Sequence, residues 1–299
     1  MDKKNLKNTI LQVNRRQALA GGLRAAGALA ALPVVSSVLA SQPFRLGITP
    51  VFLDNDAAVI DALRSGLQDA LGVPVRMEQR RAYKEVTGML LDGELDAAWL
   101  CGYPYLQHKD ELEVVAVPLW HGKPLYRSYL IVSTDDTAKA LDDLEGDVHA
   151  FSDPDSNSGF LVTASDLARK GKTVRDFFRR TIFTYGHRNV VRAVAAGLVR
   201  SGSVDGYVWE ALATMEPAIT SRTKVIYKSE WLGFPPVCIR KDNSGKPALR
   251  AFRKAVLKFD TFPAGHEALR LLQLDGMAPA PAGLFAGIEK RMQDYARMS

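Results

Sequence analysis

From Phe44 onward the apolar positions alternate between two spacings. Phe44-Arg45-Leu46-Gly47-Ile48-Thr49 is a short strand-like run that opens into a loop through Asp54, Asn55 and Asp56, after which Ile60, Leu63, Leu67 and Leu71 recur at helical spacing up to Gly72. A second strand is predicted over 73–77. Tyr83, Val86 and Leu90 then mark an amphipathic helix closed by Gly93, and 96–100 is a third strand. Strand, helix, strand, helix, strand with short connections is the pattern of a parallel sheet covered on both faces. Two more strands are predicted over 114–119 and 129–133. The alternation restarts at Val148, with strands over 148–151, 181–184, 207–209 and 224–227 interleaved with helices over 159–169, 189–198 and 210–215. Gly93-Glu94-Leu95-Asp96-Ala97 has an echo in Gly202-Ser203-Val204-Asp205-Gly206, and the spacing leaves the register of that second segment open. Helical spacing returns over 248–259, 266–272 and 284–298, after a strand over 235–240 that returns to the first half. The pattern predicts an α/β protein of two lobes, 41–133 plus 235–299 and 134–234, joined by two strand-like crossings with a cleft between them. Ligands in open α/β sheets gather where strand ends run into helix N-termini.

Composition narrows the classes. With 47% hydrophobic and 24% charged residues in 299, the chain is neither disordered nor a disulfide-dense scaffold. The formal charge of +6 belongs to the leader: the first forty residues hold six basic side chains and one acid, which leaves +1 for residues 41–299. A basic nucleic-acid-binding surface is therefore not indicated. Asn14-Arg15-Arg16-Gln17-Ala18-Leu19 contains a twin-arginine pair, an apolar stretch over 19–32 is broken by Arg24, and Val38-Leu39-Ala40 is small at the positions a signal peptidase reads. This predicts a Tat-type export signal over 1–40, a soluble monomer in the periplasm after cleavage, and no membrane anchor, because the run is shorter than the ~20 residues a span needs. No cysteine stands at the cleavage point for lipid attachment. Cys101 and Cys238 lack metal-ligand spacing, and a disulfide between them would need Cα atoms within ~7 Å. No cofactor motif and no metal site is predicted.

The chemistry concentrates in loops. Phe151-Ser152-Asp153-Pro154-Asp155-Ser156-Asn157-Ser158-Gly159-Phe160 leaves a predicted strand and enters a helix. Unpaired backbone N–H groups and the positive end of the helix dipole favour an anion there, and Ser156, Asn157 and Ser158 add side-chain donors without a cation. Ser and Asn are also the preferred N-caps, so capping alone would account for the same residues. Thr184-Tyr185-Gly186-His187-Arg188-Asn189 and Cys101-Gly102-Tyr103-Pro104-Tyr105 are comparable strand exits. Asp205 beside an oxyanion would select a protonated ligand, since a carboxylate accepts a hydrogen bond from P–OH or from an amine.

In combination, Ser156-Asn157-Ser158 before Gly159, His187, the run 202–210 and Pro235-Pro236 resemble the periplasmic phosphate/phosphite/phosphonate-binding proteins of ABC transporters over roughly residues 44–290. The resemblance implies a type II two-lobe periplasmic-binding fold, each lobe a mixed sheet flanked by helices on a two-strand hinge, and a permease as partner. It also implies an oxyanion held by Ser156, Asn157, Ser158, His187, Tyr103 and Asp205, with Tyr83 as a further first-lobe contributor. Asn157 stands where that family often has Thr, an amide in place of a hydroxyl. Some members resemble arsenite sensors that signal to a histidine kinase, and their distinguishing thiol maps onto Cys101. A buried Cys also behaves as a small hydrophobe. Ser156 or Ser158, His187 and Asp205 contain the residue types of a hydrolytic triad, but no Gly-x-Ser-x-Gly elbow is present, and the chain order Ser, His, Asp is not that of the familiar triads. No P-loop, dinucleotide fingerprint or His-Glu-x-x-His occurs.

Overall fold

The computed structural model describes residues 42–49 and 57–298. The expected export signal and the loop residues Asp54, Asn55 and Asp56 lie outside the described residues. The first lobe begins β1 (Phe44–Ile48), α1 (Ala57–Leu71), β2 (Val75–Gln79), α2 (Tyr83–Leu91), β3 (Ala97–Trp99), α3 (Gly102–Gln107) and β4 (Leu112–Leu119). The chain crosses through β5 (Leu125–Tyr126) and builds β6 (Ser128–Ser133), β7 (Val148–Phe151), α4 (Val162–Arg169), α5 (Val174–Phe177), β8 (Arg180–Phe183), α6 (His187–Ala195), β9 (Ser201–Asp205), α7 (Gly206–Met215), α8 (Pro217–Thr220) and β10 (Thr223–Lys228). It returns through β11 (Leu232–Gly233) to β12 (Val237–Arg240), α9 (Pro247–Val256), α10 (Pro263–Leu271), β13 (Gly276–Ala278) and α11 (Ala286–Ala296).

The first sheet has the order β13-β4-β12-β3-β1-β2 and the second β10-β6-β9-β7-β8. Each is mixed. β1 runs parallel to β2 and β3, whereas β12 is antiparallel to β3 and β4. β7 runs parallel to β8 and β9, whereas β6 is antiparallel to β9 and β10. The strands near the centres are buried on both faces, as the Ala97-Ala98-Trp99 run of β3 requires.

Two expectations change. A division after 133 would cut β6 from its sheet. The crossings lie at β5 and β11, which pair antiparallel as a short ribbon, and Trp99 Nε1 donates to the carbonyl of Pro235 at 2.9 Å beside the return. The strand expected over 207–209 is instead the first turn of α7, and β9 is Ser201–Asp205. Packing chooses this register: a Cβ on Gly202 would lie 2.4 Å from Val190 Cγ1, so the small residues of β9 let α6 approach the sheet. The bulkier Tyr207-Val208-Trp209 then serves the helix that Asp205 caps.

Helix α11 follows first-lobe elements in the chain yet docks on the second lobe. The Arg291 side chain is 1% exposed; its Nη1 donates to Val162 O, Ser165 Oγ and Asp166 Oδ1 at 3.0, 2.8 and 2.9 Å, and its Nε to Glu230 Oε1 at 2.8 Å. Arg169 Nε to Asp294 Oδ2 at 2.7 Å adds a second tie, and Lys109 to Glu289 at 2.7 Å ties the same helix to the first lobe. Among the described residues no helix is long and apolar enough to cross a membrane. Arg291→Met removes the shared cation from two acids, and urea unfolding is expected to show a loss of about 3 kcal/mol, the low end for a broken buried pair.

Candidate ligand-binding site

The carboxyl ends of β3, β7, β8 and β9 and the start of α2 bring the site residues together. After β7 the chain runs through Ser152 to Ser156 into a widened helical turn, Asn157–Leu161, with Ser156 as its extended cap: Ser156 Oγ accepts from Gly159 N at 3.0 Å. A Cβ on Gly159 would sit 1.8 Å from Ser152 Oγ and 3.0 Å from His187 Cε1, so only glycine lets this turn close against the neighbouring strand exits. Ser156, Asn157, Ser158, His187 and Asp205 are each at most 2% exposed, as are Tyr83, Cys101 and Tyr126.

Contacts across the lobes complete the ring. Asp153 Oδ2 accepts from the backbone N–H of Tyr83 at 3.1 Å, and Asn157 N donates to Cys101 Sγ at 3.3 Å. The Tyr83 hydroxyl meets His187 Nε2 at 3.2 Å, while His187 Nδ1 accepts from the backbone N–H of Asp205 at 3.0 Å. Burial holds the imidazole neutral, its pKa lowered to about 3. Because Nδ1 accepts from an amide, the ring proton sits on Nε2 and points at the Tyr83 oxygen. The Tyr83 O–H is then left to donate elsewhere. Asp205 caps α7 through Oδ1, accepting from Val208 N at 3.3 Å, and burial raises its carboxyl to about 8. Burial likewise raises the Cys101 thiol to about 12, despite backbone N–H groups from Asn157 and Tyr103. Asn157 Nδ2 donates to the Tyr126 hydroxyl at 2.8 Å, and the buried oxygens Ser152 Oγ and Asn157 Oδ1 have no protein partner.

The ring is therefore a desolvated set of hydroxyl, amide, imidazole and thiol groups with two carboxyls, both raised by burial, of which Asp205 keeps its proton below about pH 8. Such groups can hold a small oxyanion with one proton shared between the acid and the ligand. They do not form a hydrolytic triad: a triad histidine donates a hydrogen bond from Nδ1–H to the carboxylate and takes the nucleophile's proton at a free Nε2, and here Nδ1 accepts from an amide and Nε2 already carries the proton. Among the described residues no group of three His, Cys, Asp or Glu side chains is placed to hold a metal. Cys101 and Cys238 are both free and buried.

Tyr103 stands apart from the residues expected beside it. It lies half-buried on α3, where burial raises its hydroxyl and nearby Tyr295 and Asp155 add to that shift. Proline at the third position of Gly-Tyr-Pro-Tyr-Leu-Gln turns this segment into a helix whose tyrosines face α11. A second aromatic hydroxyl joins that of Tyr83 in the ring, Tyr126 on the crossing strand β5, and sequence reasoning missed it. It lies seven residues before the crossing expected after 133, and no local pattern set it apart from the strand residues around it. Asp153 was also missed, because an acid in a Ser-Asp-Pro turn reads as turn chemistry until its partner on α2 is seen. His149, with no ligand spacing, is fully buried between Ser201 Oγ and Ser203 Oγ at 2.7 and 2.9 Å and is a core group.

The profile of a family described as "ABC transporter, phosphonate, periplasmic substrate-binding protein" matches residues 46–282. The chain belongs to this family. It is 28% identical over 188 residues to the phosphonates-binding periplasmic protein of Escherichia coli (strain K12), a match covering 60% of this chain and about half (54%) of that relative. A binding protein component of an ABC phosphonate transporter from Pseudomonas aeruginosa shares the fold with a TM-score of 0.79 at 21% identity, over 86% of this chain and 88% of that one. PhnD1 from Prochlorococcus marinus (MIT 9301), solved in complex with methylphosphonate, does so with a TM-score of 0.74 at 17% identity, over 86% and 98%. The phosphonate-family fold is thus the type II periplasmic-binding arrangement, two mixed sheets flanked by helices.

The buried acid makes a pH signature for this family member. Between the ordinary carboxyl value near 4 and about 8 the folded chain holds a proton on Asp205 that the unfolded chain has released, so the Asp205 contribution falls as pH rises through that window. His187 acts with the opposite sign, between about 3 and 6.5, where only the unfolded chain is protonated. From pH 6.5 to 8 both buried histidines, His149 and His187, are past their window, and Asp205 is the acid raised as far as about 8. Ligand-free thermal or urea unfolding is expected to show stability declining over that interval in the wild type, and a flatter profile in Asp205→Asn. An equal decline in both would show that Asp205 is ionised in the folded state.

Proposed function

We propose that this protein captures a small phosphorus oxyanion, a phosphonate, phosphite or phosphate, between its lobes and delivers it to an ABC permease, after export by the twin-arginine route and as a monomer in the periplasm. The single observation that carries the reading is the interlobe relay Asp205 N–H to His187 to Tyr83, in which a second-lobe imidazole orients a first-lobe hydroxyl. A ligand oxygen accepting from Tyr83 on one side and from the Ser156-Asn157-Ser158 turn on the other favours the closed arrangement by contacts that exist only when the lobes meet. No covalent step is required. Membership of the phosphonate family supports the class of ligand, as does the likeness in fold to the Prochlorococcus protein solved with methylphosphonate.

A second reading, an arsenite sensor that signals to a histidine kinase, is favoured by Cys101 Sγ, which meets Asn157 N within the ring. Against it, the thiol is held strongly protonated, and Cys238 is packed with Leu90 and Leu112 in a separate cluster.

Calorimetry of the mature protein against methylphosphonate, phosphite, phosphate and arsenite separates the readings. For the phosphorus ligands, Tyr83→Phe, Ser158→Ala and His187→Ala are each expected to weaken binding by about 1–3 kcal/mol, the worth of a charge-assisted hydrogen bond, while Cys101→Ser changes affinity little. Unchanged affinity in Tyr83→Phe and His187→Ala would sink the proposed relay. Binding of arsenite alone, abolished by Cys101→Ser, would establish the sensor instead.

A further inference from the structure

The second lobe carries a groove away from the ligand chamber, about 860 Å³ in volume, between α4, α5, α11 and β8. Its floor is aromatic: Phe160 lies 5.8 Å from Phe183 and 5.6 Å from Tyr295, centroid to centroid. Its rim is cationic, formed by the exposed side chains of Arg175, Arg179 and Arg180. Other arginines of this lobe are matched to acids, Arg169 with Asp294, Arg200 with Asp136 and Asp147, and Arg188 with Glu216. Among the described residues the three rim arginines have neither an ion pair nor a side-chain hydrogen bond. The acid beside them, Asp176, is engaged by Thr173 at the start of α5, and Lys172 is held by Glu145.

β8 is the last strand of its sheet, paired only with β7, and Arg180, Thr181 and Phe183 of that strand line the groove. An edge strand offers unpaired N–H and C=O groups to an added strand. We infer that this groove docks an extended acidic segment of a partner protein, laid along the free edge of β8 with its carboxylates on Arg175, Arg179 and Arg180 and its apolar side chains on the Phe160, Phe183 and Tyr295 floor. Charge chooses the occupant. The basic first forty residues of this chain do not match a cationic rim, and an alternating acidic and apolar strand does. The turn that carries Asn157 and Ser158 into the chamber also carries Phe160 into the groove, so a partner seated there touches the ligand turn from behind.

The test is fluorescence anisotropy with the mature full-length chain and a labelled, N-acetylated hexapeptide of alternating Glu and Val. Saturable binding is expected, weakened roughly tenfold or more by high salt and by the combined Arg175→Glu, Arg179→Glu and Arg180→Glu substitutions, and lost when Lys replaces Glu or when alternate peptide nitrogens are methylated. The triple variant is expected to keep the melting temperature and the methylphosphonate response of the wild type, and Arg179→Gln alone provides a milder change should the triple variant fold poorly. Absence of saturable binding, or equal binding by wild type and variants, overturns the inference. So does binding to phosphatidylglycerol vesicles without binding to the peptide, which would make the groove a lipid-headgroup surface. None of these outcomes depends on which oxyanion the chamber takes.

Discussion

One imidazole, held between a backbone amide and a tyrosine hydroxyl, sets the character of the whole chamber. Asp205 N–H fixes the tautomer of His187, His187 fixes the orientation of Tyr83, and the two lobes are joined at that point by a hydrogen bond between neutral groups. Burying neutral groups costs far less than burying ions, provided that each finds a partner. The ring accordingly closes to at most 2% exposure with no Lys or Arg among its members, and burial suppresses the ionisation of its imidazole, its thiol and its Asp205 carboxyl alike. A site built on a cation would be repelled from this closed state whenever its counter-ion left.

The rest of the fold serves that closure. Each second-lobe contributor sits where a parallel strand ends and a helix or helical turn begins, so hydrogen bonds of the sheet itself fix the spacing of Ser156, His187 and Asp205. The first lobe supplies Tyr83 and Cys101 by the same construction. Tyr126 lies on the crossing between the sheets and is bonded to Asn157, which places the amide substitution and the hinge in direct contact. Helix α11, through Arg291, Arg169 and Lys109, ties elements of both lobes to one rigid rod.

Polar density is distributed unevenly over the second lobe. Its core holds His149, Ser201, Ser203 and Thr163 in a fully bonded cluster, whereas the chamber leaves Ser152 Oγ and Asn157 Oδ1 without protein partners. A satisfied polar cluster specifies packing; a buried oxygen without a protein partner keeps the capacity to accept a hydrogen bond from a bound molecule, the capacity on which the proposed capture of an oxyanion draws. The Arg175, Arg179 and Arg180 rim repeats the contrast at the surface, with unpaired cations gathered on a lobe where Arg169, Arg188 and Arg200 are each matched to an acid.

The sequence alone determined what depends on local periodicity and on short-range backbone chemistry. The strand and helix spacing announced two α/β lobes, and the Ser156-Asn157-Ser158 and His187 strand exits were legible because cap and turn residues act on their own neighbours. Tyr83 and Asp205 were legible through a family pattern, without any indication that a backbone amide and an imidazole would link them. Tertiary structure decided what depends on distant partners. The choice of Ser201–Asp205 as the strand rests on how closely α6 can approach Gly202, and the bond between Tyr126 and Asn157 rests on how the crossing strand turns its side chain inward. The pairing of Tyr83 with His187 spans 104 residues of chain, and no local signal encodes a contact made only when two separately folded sheets close on one another.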